Sequence, residues 1–301
     1  MSASSGPADH SQRRGSGLPT AREWIAQGAR FETSTGHSVS FRVRGKGTPL
    51  LMLHGFPTWS YDYAAVATEL ERDHRVVTLD FLGYGASDKP RGYHYTVAES
   101  ADVVEELLHH LAIDDAILVL HNYGGIVGQE LLDRLRSGRL AFEVGAIHLL
   151  NCGVVYDAYR PTGFQRALAT PVLGPLVSRL ITKRFLGKAI SSVRREPLSP
   201  NDFDELWTGI SLSDGHRLAH EHIRYNAERD RHHRRWQSAL EDYSGELQLI
   251  WGIDDPVSGR TVLDAARGIL PRAHFIELDG IGHFPQSEAP EAVVRAIRSV
   301  A

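Results

Sequence analysis

Leu120-His121-Asn122-Tyr123-Gly124-Gly125 follows the apolar run AILVLH over residues 116–121 and precedes a helix-spaced stretch over 126–135. A strand that passes into a helix within so few residues must turn through a strained corner, which small residues at 124 and 125 permit. Asn122 stands at the tip of that corner, beside the N–H groups that open the helix and lack intrahelical partners. Reading outward, PLLMLH (49–54) and RVVTLD (75–80) are also continuous apolar runs, as expected of strands covered on both faces. Residues 28–33 and 38–44 have strand character around the turn Thr35-Gly36-His37, and 146–150, 247–251 and 274–278 are strand-like. Residues 97–111, 262–269 and 291–300 carry apolar residues at helical spacing. The alternation predicts an α/β fold: a mostly parallel central sheet with helices on both faces.

Residues 152–245 interrupt the alternation with helical patches, prolines and arginines and no buried strand. They read as a helical lid inserted into a core made of 21–151 and 246–301. Residues 1–20, rich in Ser, Gly and Arg, read as a disordered tail. With 301 residues the chain can bury a large core, and 33 Lys+Arg against 37 Asp+Glu give a formal charge of −4, no footprint of a nucleic-acid binder. The single cysteine, Cys152, excludes a disulfide framework within the chain. No apolar run approaches the roughly 20 residues of a membrane span, and no secretory signal is visible, so a cytoplasmic location is expected. Oligomeric state is not legible.

Sites in open α/β sheets collect at the carboxyl ends of strands. Three such ends carry polar residues here. Leu53-His54-Gly55-Phe56-Pro57 turns sharply after the first buried run, and the Phe56 N–H can face a ligand oxygen; the Tyr123 N–H is the matching second donor, the pair expected of an oxyanion hole. Trp251-Gly252-Ile253-Asp254-Asp255-Pro256 places acids past one late strand, and Gly280-Ile281-Gly282-His283 places a histidine past the next. Each piece alone is an ordinary cap or turn; together and in this order they point to one constellation.

The order of elbow residue, acid and histidine resembles that of the α/β-hydrolase superfamily, over essentially residues 28–300. Within it the sequence is similar to the branch of epoxide hydrolases and haloalkane dehalogenases. HGFP at 54–57 resembles the HGxP turn of epoxide hydrolases, and Asp80-Phe81-Leu82-Gly83-Tyr84-Gly85-Ala86-Ser87-Asp88-Lys89-Pro90 resembles a segment of both groups. The same segment, the 121–125 elbow, Ser137-Gly138-Arg139-Leu140 and the DPV at 255–257 also resemble mesoderm-specific transcript proteins. The resemblance implies a lid and a catalytic set at position 122, His283 and Asp255, the last preferred to Asp254 by its distance from Gly252.

The branch carries aspartate at the elbow, whose carboxylate attacks an electrophilic carbon and forms an ester that a histidine-activated water hydrolyses. Asn122 departs from this, and an uncharged carboxamide is a far weaker nucleophile. Three readings stand open: an Asp→Asn exchange made by design, a natural residue that His283 and water convert to aspartate, or loss of the covalent step. A serine-hydrolase reading is weaker, since no serine stands at 122.

The resemblance also directs attention to residues that would contact substrate: Trp59 near the first turn, and the lid tyrosines Tyr156, Tyr159, Tyr225 and Tyr243, one of which would protonate a leaving alkoxide, Tyr225 first among them. A dehalogenase halide cradle is not visible, because Tyr123 follows Asn122 and Phe56 follows Gly55. His216, His220 and His222 have metal-ligand spacing but read as a solvated helix face, as does the basic run 230–235. Residues 168–185 mix Leu, Val and Ile with Arg and Lys like an interfacial helix, but Pro171 and Pro175 interrupt them, and a lid lining an apolar pocket is the better account. No dinucleotide or phosphate-loop pattern is present, and neither cofactor nor metal is expected. The function expected is hydrolysis of a hydrophobic small molecule, most simply of epoxide-hydrolase type; a non-catalytic ligand-binding module, a dehalogenase, and a cofactor-free oxygenase or lyase are the alternatives.

Overall fold

The apolar runs form strands of a single eight-stranded sheet in a computed structural model that describes residues 17–300. The strands are β1 (Ala29–Glu32), β2 (Ser38–Arg44), β3 (Thr48–Leu53), β4 (His74–Leu79), β5 (Asp115–His121), β6 (Glu143–Leu150), β7 (Glu246–Gly252) and β8 (His274–Leu278). Their spatial order is β1-β2-β4-β3-β5-β6-β7-β8. β1 and β2, joined by the short polar turn, pair antiparallel, β2 pairs antiparallel with β4, and every pairing from β4 onward is parallel. Leu50 to Leu53 and Val76, Val77 and Leu79 are sealed from solvent, the condition in which an uninterrupted apolar run rather than an alternating one is stable.

Register fixes where the polar residues emerge. Leu53 lies opposite Leu120, His121 opposite Leu150, Leu150 opposite Ile250, and Gly252 opposite Leu278. The residues that follow these strand ends therefore leave the sheet along one edge. Helix Tyr123–Arg136 packs with Val97–His110 and with Tyr225–Asp242, while Ala64–Leu70 packs with Pro290–Arg298.

Between β6 and β7 the described chain contains helices and short turns but no strand. The last of these helices, Tyr225–Asp242, lies along Tyr123–Arg136, where Trp236 Nε1 and an Arg235 guanidinium nitrogen donate to Glu130 Oε2 at 2.7 and 2.5 Å. The expected tail lies largely outside the described residues, but Pro19 and Thr20 belong to the fold. The Tyr61 hydroxyl donates to the Pro19 carbonyl, and Thr20 and Glu23 form a reciprocal cap on helix Ala21–Ala26.

Candidate active site

The elbow predicted at 120–125 is a tight corner. Asn122 has φ +48° and ψ −108°, a region costly for a residue with a side chain, and it caps helix Tyr123–Arg136. Close approach makes the corner affordable only to glycines: a Cβ at Gly124 would stand 2.3 Å from the Leu53 carbonyl oxygen, and one at Gly125 2.3 Å from Cys152 Sγ. Gly55 is constrained likewise, since a Cβ there would meet Asn122 Cβ at 2.6 Å. The His54 ring locks the first turn, its Nδ1–H donating to the Gly55 carbonyl while Nε2 accepts from Phe81 N–H, and burial holds this imidazole neutral.

The Asn122 carbonyl oxygen accepts two backbone N–H groups, Phe56 at 3.0 Å and Tyr123 at 2.7 Å. Two fixed donors on one oxygen are the arrangement that stabilises developing negative charge. The Asn122 amide nitrogen lies 3.0 Å from His283 Nε2, and His283 Nδ1 lies 2.7 Å from Asp255 Oδ2. With Nδ1–H donated to the carboxylate, Nε2 carries the lone pair and accepts the amide N–H. The imidazole is thus a base whose lone pair is held by the carboxamide.

Asp255 is sustained as an anion. Burial alone would raise its pKa, but the His283 ring and hydrogen bonds from Ser258 and the Val257 N–H hold it below the ordinary carboxylate value. Asn151, absent from the sequence reading, joins this set: its Nδ2 donates to Asp255 Oδ2 at 2.9 Å and to the Gly252 carbonyl at 2.8 Å, and its Oδ1 accepts the Gly252 N–H. The available signal was a polar residue directly after β6. Asp254 turns away toward Arg195, 3.9 Å distant. Asp62 was also missed: wholly buried four residues after Thr58, it is hydrogen-bonded to that hydroxyl, and burial pushes its pKa up to about 7.

His283 and Phe56 line a cavity of about 440 Å³ whose other walls include Phe164, Leu186, Ile190, Val193 and Phe284. Asn122, between the two, is buried behind this surface. Over residues 50–296 the sequence matches the alpha/beta hydrolase family. The chain belongs to that family. LipZ of Mycobacterium tuberculosis is 36% identical over 286 residues, covering 94% of this chain and 98% of its own. The human mesoderm-specific transcript homolog protein is 36% identical over 293 residues, covering 92% and 87%. The solved structure of the epoxide hydrolase CorEH is similar in fold, with a TM-score of 0.72 at 18% identity over 91% of this chain and 97% of its own.

In this alpha/beta hydrolase the motif segment 80–90 is structural. Asp80 accepts the Ser60 and Ala86 N–H groups, and Gly85 is required because a Cβ would lie 2.2 Å from the Asp80 carboxyl. Lys89 Nζ meanwhile donates to the carbonyls of Gly85 and Ser87.

Two expected substrate contacts are corrected. Trp59 does not line the cavity beside His283: its Nε1 donates to the Leu206 carbonyl at 3.0 Å, and its ring covers Gly209, so it fastens the inserted helix Pro200–Ser211 to the core. Tyr156 is occupied elsewhere, its hydroxyl donating to Asp230 and its ring stacked on His233. Tyr225 and Tyr159 are buried. The Tyr225 ring is 5.0 Å from that of Tyr123 and 6.5 Å from that of Phe56. The Tyr159 hydroxyl, near Tyr225 and Asn226, falls short of hydrogen-bond geometry with either, and the Arg229 guanidinium covers its ring at 4.3 Å. Tyr243, on the far side of the insertion, donates to the Val144 carbonyl. His222 is not on a solvated face: it is buried and stacked on Tyr84 at 4.0 Å.

Proposed function

We propose that this alpha/beta hydrolase is built for epoxide-type chemistry on hydrophobic small molecules, with Asn122, His283 and Asp255 as its catalytic set and the covalent step withheld by the carboxamide. The observation that carries the reading is the continuous chain from Asn122 through His283 to Asp255, with Phe56 and Tyr123 N–H groups on the remaining Asn122 oxygen. In the Asn122→Asp form, the oxygen replacing Nδ2 attacks an epoxide carbon, the ring C–O bond breaks, and a tyrosine gives the alkoxide its proton. We assign this role to Tyr225, whose ring lies 6.5 Å from that of Phe56 and whose phenol, raised in pKa by burial, stays protonated. His283 then takes a proton from water, the hydroxide adds to the ester carbon, and the tetrahedral oxyanion is held by the two N–H groups. Collapse releases the diol, whose oxygen recovers the proton from His283, and the carboxylic acid regenerated at 122 gives up its proton to restore the tyrosine hydroxyl. The apolar walls at 164, 186, 190 and 193 favour an aryl or alkyl epoxide.

The test is diol formation from a panel of such epoxides by the chain as it stands and by Asn122→Asp. Activity confined to the Asp form is expected. An inert Asp form beside tight ligand binding by the original chain would favour the binding-module alternative.

A second reading rests on the same contacts taken from the amide's side: the Asn122 amide itself meets the conditions of a hydrolysable substrate. Its oxygen is in the two-donor site and its nitrogen touches the general base. Addition of a His283-activated water to the amide carbon, with the same imidazole returning the proton to departing ammonia, would convert Asn122 to aspartate. Intact mass followed over days should then rise by one amide-to-acid conversion mapped to residue 122, and His283→Ala should abolish the change. A constant mass in the original chain ends this reading.

A further inference from the structure

The helix Leu173–Arg179 contradicts the usual arrangement of a surface helix. Its buried positions are Gly174 and Ser178, while Val172, Leu176 and Leu180 are 88, 54 and 68% exposed. These three recur every four residues and so form one stripe on one face, widened by the exposed Leu173. The inversion is fixed by packing: a Cβ at Gly174 would lie 2.1 Å from the Leu168 carbonyl oxygen, and Ser178 Oγ accepts the His220 N–H at 2.8 Å. Turning the stripe inward would need space that the backbone of the neighbouring helix already fills. Phe185, exposed on the next helix, edges onto Phe164 and continues the apolar surface to the mouth of the cavity, which both phenylalanines line.

Along the chain the charge at this stripe is one-sided, with Lys183 alone among the cations of 179–188 paired, to Asp204 of the helix Pro200–Ser211. Between Asp157 and Glu196 the sequence has eight Lys and Arg and no acid, in a chain whose formal charge is −4. Arg179, Arg184 and Lys188 are exposed and form no ion pair with any described residue. An occupant of this surface must offer both apolar contact and dispersed negative charge. A two-fold pairing of the same surface would oppose cation to cation, which disfavours a second copy of the chain. No helix among the described residues is long and apolar enough to cross a membrane, so the stripe can lie on a bilayer but not through one.

We propose that the 172–188 surface docks on anionic lipid bilayers, seating Val172, Leu176 and Leu180 at the acyl boundary with the cations on the headgroups. The docked face holds the cavity mouth near a phase in which apolar molecules concentrate. The docking does not rest on the chemistry at Asn122, so an inactive chain would dock equally well.

The experiment is flotation of the full chain with vesicles of phosphatidylcholine alone and of phosphatidylcholine containing phosphatidylglycerol. Binding is expected to the anionic vesicles, weakened by salt. It should fall at least tenfold in Val172→Ser/Leu176→Ser/Leu180→Ser and again in Arg179→Glu/Arg184→Glu, with thermal melting of both variants unchanged. The proposal is overturned by absence of binding to anionic vesicles at low salt, or by binding that survives both sets of substitutions. It is also overturned if light scattering shows a dimer of the original chain that the serine variant dissociates, which would assign the stripe to a second copy.

Discussion

At the scale of single residues, the 3.0 Å contact between the Asn122 amide and His283 Nε2 governs the chemistry available. Aspartate at 122 would keep the two backbone donors on one oxygen but remove the N–H that occupies the imidazole lone pair. Asn151 is one of the donors on the acid, beside Ser258 and the Val257 N–H. Loss of a hydrogen bond to a buried charged group costs roughly 1.5–3 kcal/mol. Asn151→Ala in the Asn122→Asp background is accordingly expected to lower kcat by about one to two orders of magnitude, with KM little changed. Steady-state kinetics on an aryl epoxide would check this; a fall confined to KM would remove Asn151 from the positioning of Asp255. Asn151→Asp is expected to be worse than alanine, because it places a second carboxylate against Asp255.

At the scale of elements, the site is where three tight turns share one volume. Gly55 in the first turn faces Asn122 Cβ, and Gly124 in the second faces the backbone of β3, so neither turn can thicken without displacing the other. Gly55→Ala is expected to destabilise the fold by about 1–3 kcal/mol, the range for overpacking a filled interior. Its melting temperature should fall, whereas Gly36→Ala, with open space around the glycine but φ +78°, registers only the backbone term. Equal losses in the two variants would deny any steric coupling between the first turn and the elbow. Helix Leu173–Arg179 teaches the complementary lesson. Residues 168–185 looked interrupted by prolines and suited to lining a pocket, yet the segment lies with its stripe outward, because small residues at 174 and 178 fit against its neighbours and large ones do not.

For the whole molecule, stability should depend on pH through Asp62. Its pKa rises from an ordinary 3.8 to about 7 in the fold, chiefly through burial, opposed by the Thr58 hydroxyl and the nearby Arg194 guanidinium and His283 ring. Between these values the folded state holds a proton that the unfolded state has released. The stabilisation from the neutral acid is therefore complete below about pH 4 and is lost as pH rises toward 7, by on the order of 4 kcal/mol at about 1.36 kcal/mol per unit. Urea unfolding of the original chain and of Asp62→Asn across this range should converge at low pH and diverge toward neutrality, with the asparagine form the more stable. Parallel curves would show that Asp62 does not titrate in this window. Asp255 acts in the opposite sense: its lowered pKa contributes stability that is lost as pH falls through its folded value.

The sequence by itself determined the alternation of strands and helices, the sharp corner at 122 and the polar residues past each strand. These signals are local: apolar runs report burial on two faces, and adjacent glycines report a turn that tolerates no side chain. Strands β2 and β8 are found at the expected residues 38–44 and 274–278, and the others differ by a few residues at their ends. Helix Ala21–Ala26 falls at the start of the expected core but is not itself predicted, because it is short and carries little periodicity, although Thr20 and Glu23 are the spacing of a capping box. Only the tertiary structure decided that Asn151 serves Asp255, that Trp59 anchors rather than lines, and which way the 172–180 stripe faces. Partners such as Asn151 and Asp255 lie 104 residues apart, and Trp59 and Leu206 lie 147 apart. Such pairs are set by sheet register and by the space neighbouring backbones leave, neither of which is written in any local pattern. Periodicity states that a stripe exists; the volume on either side of the helix determines whether it meets the core or the solvent.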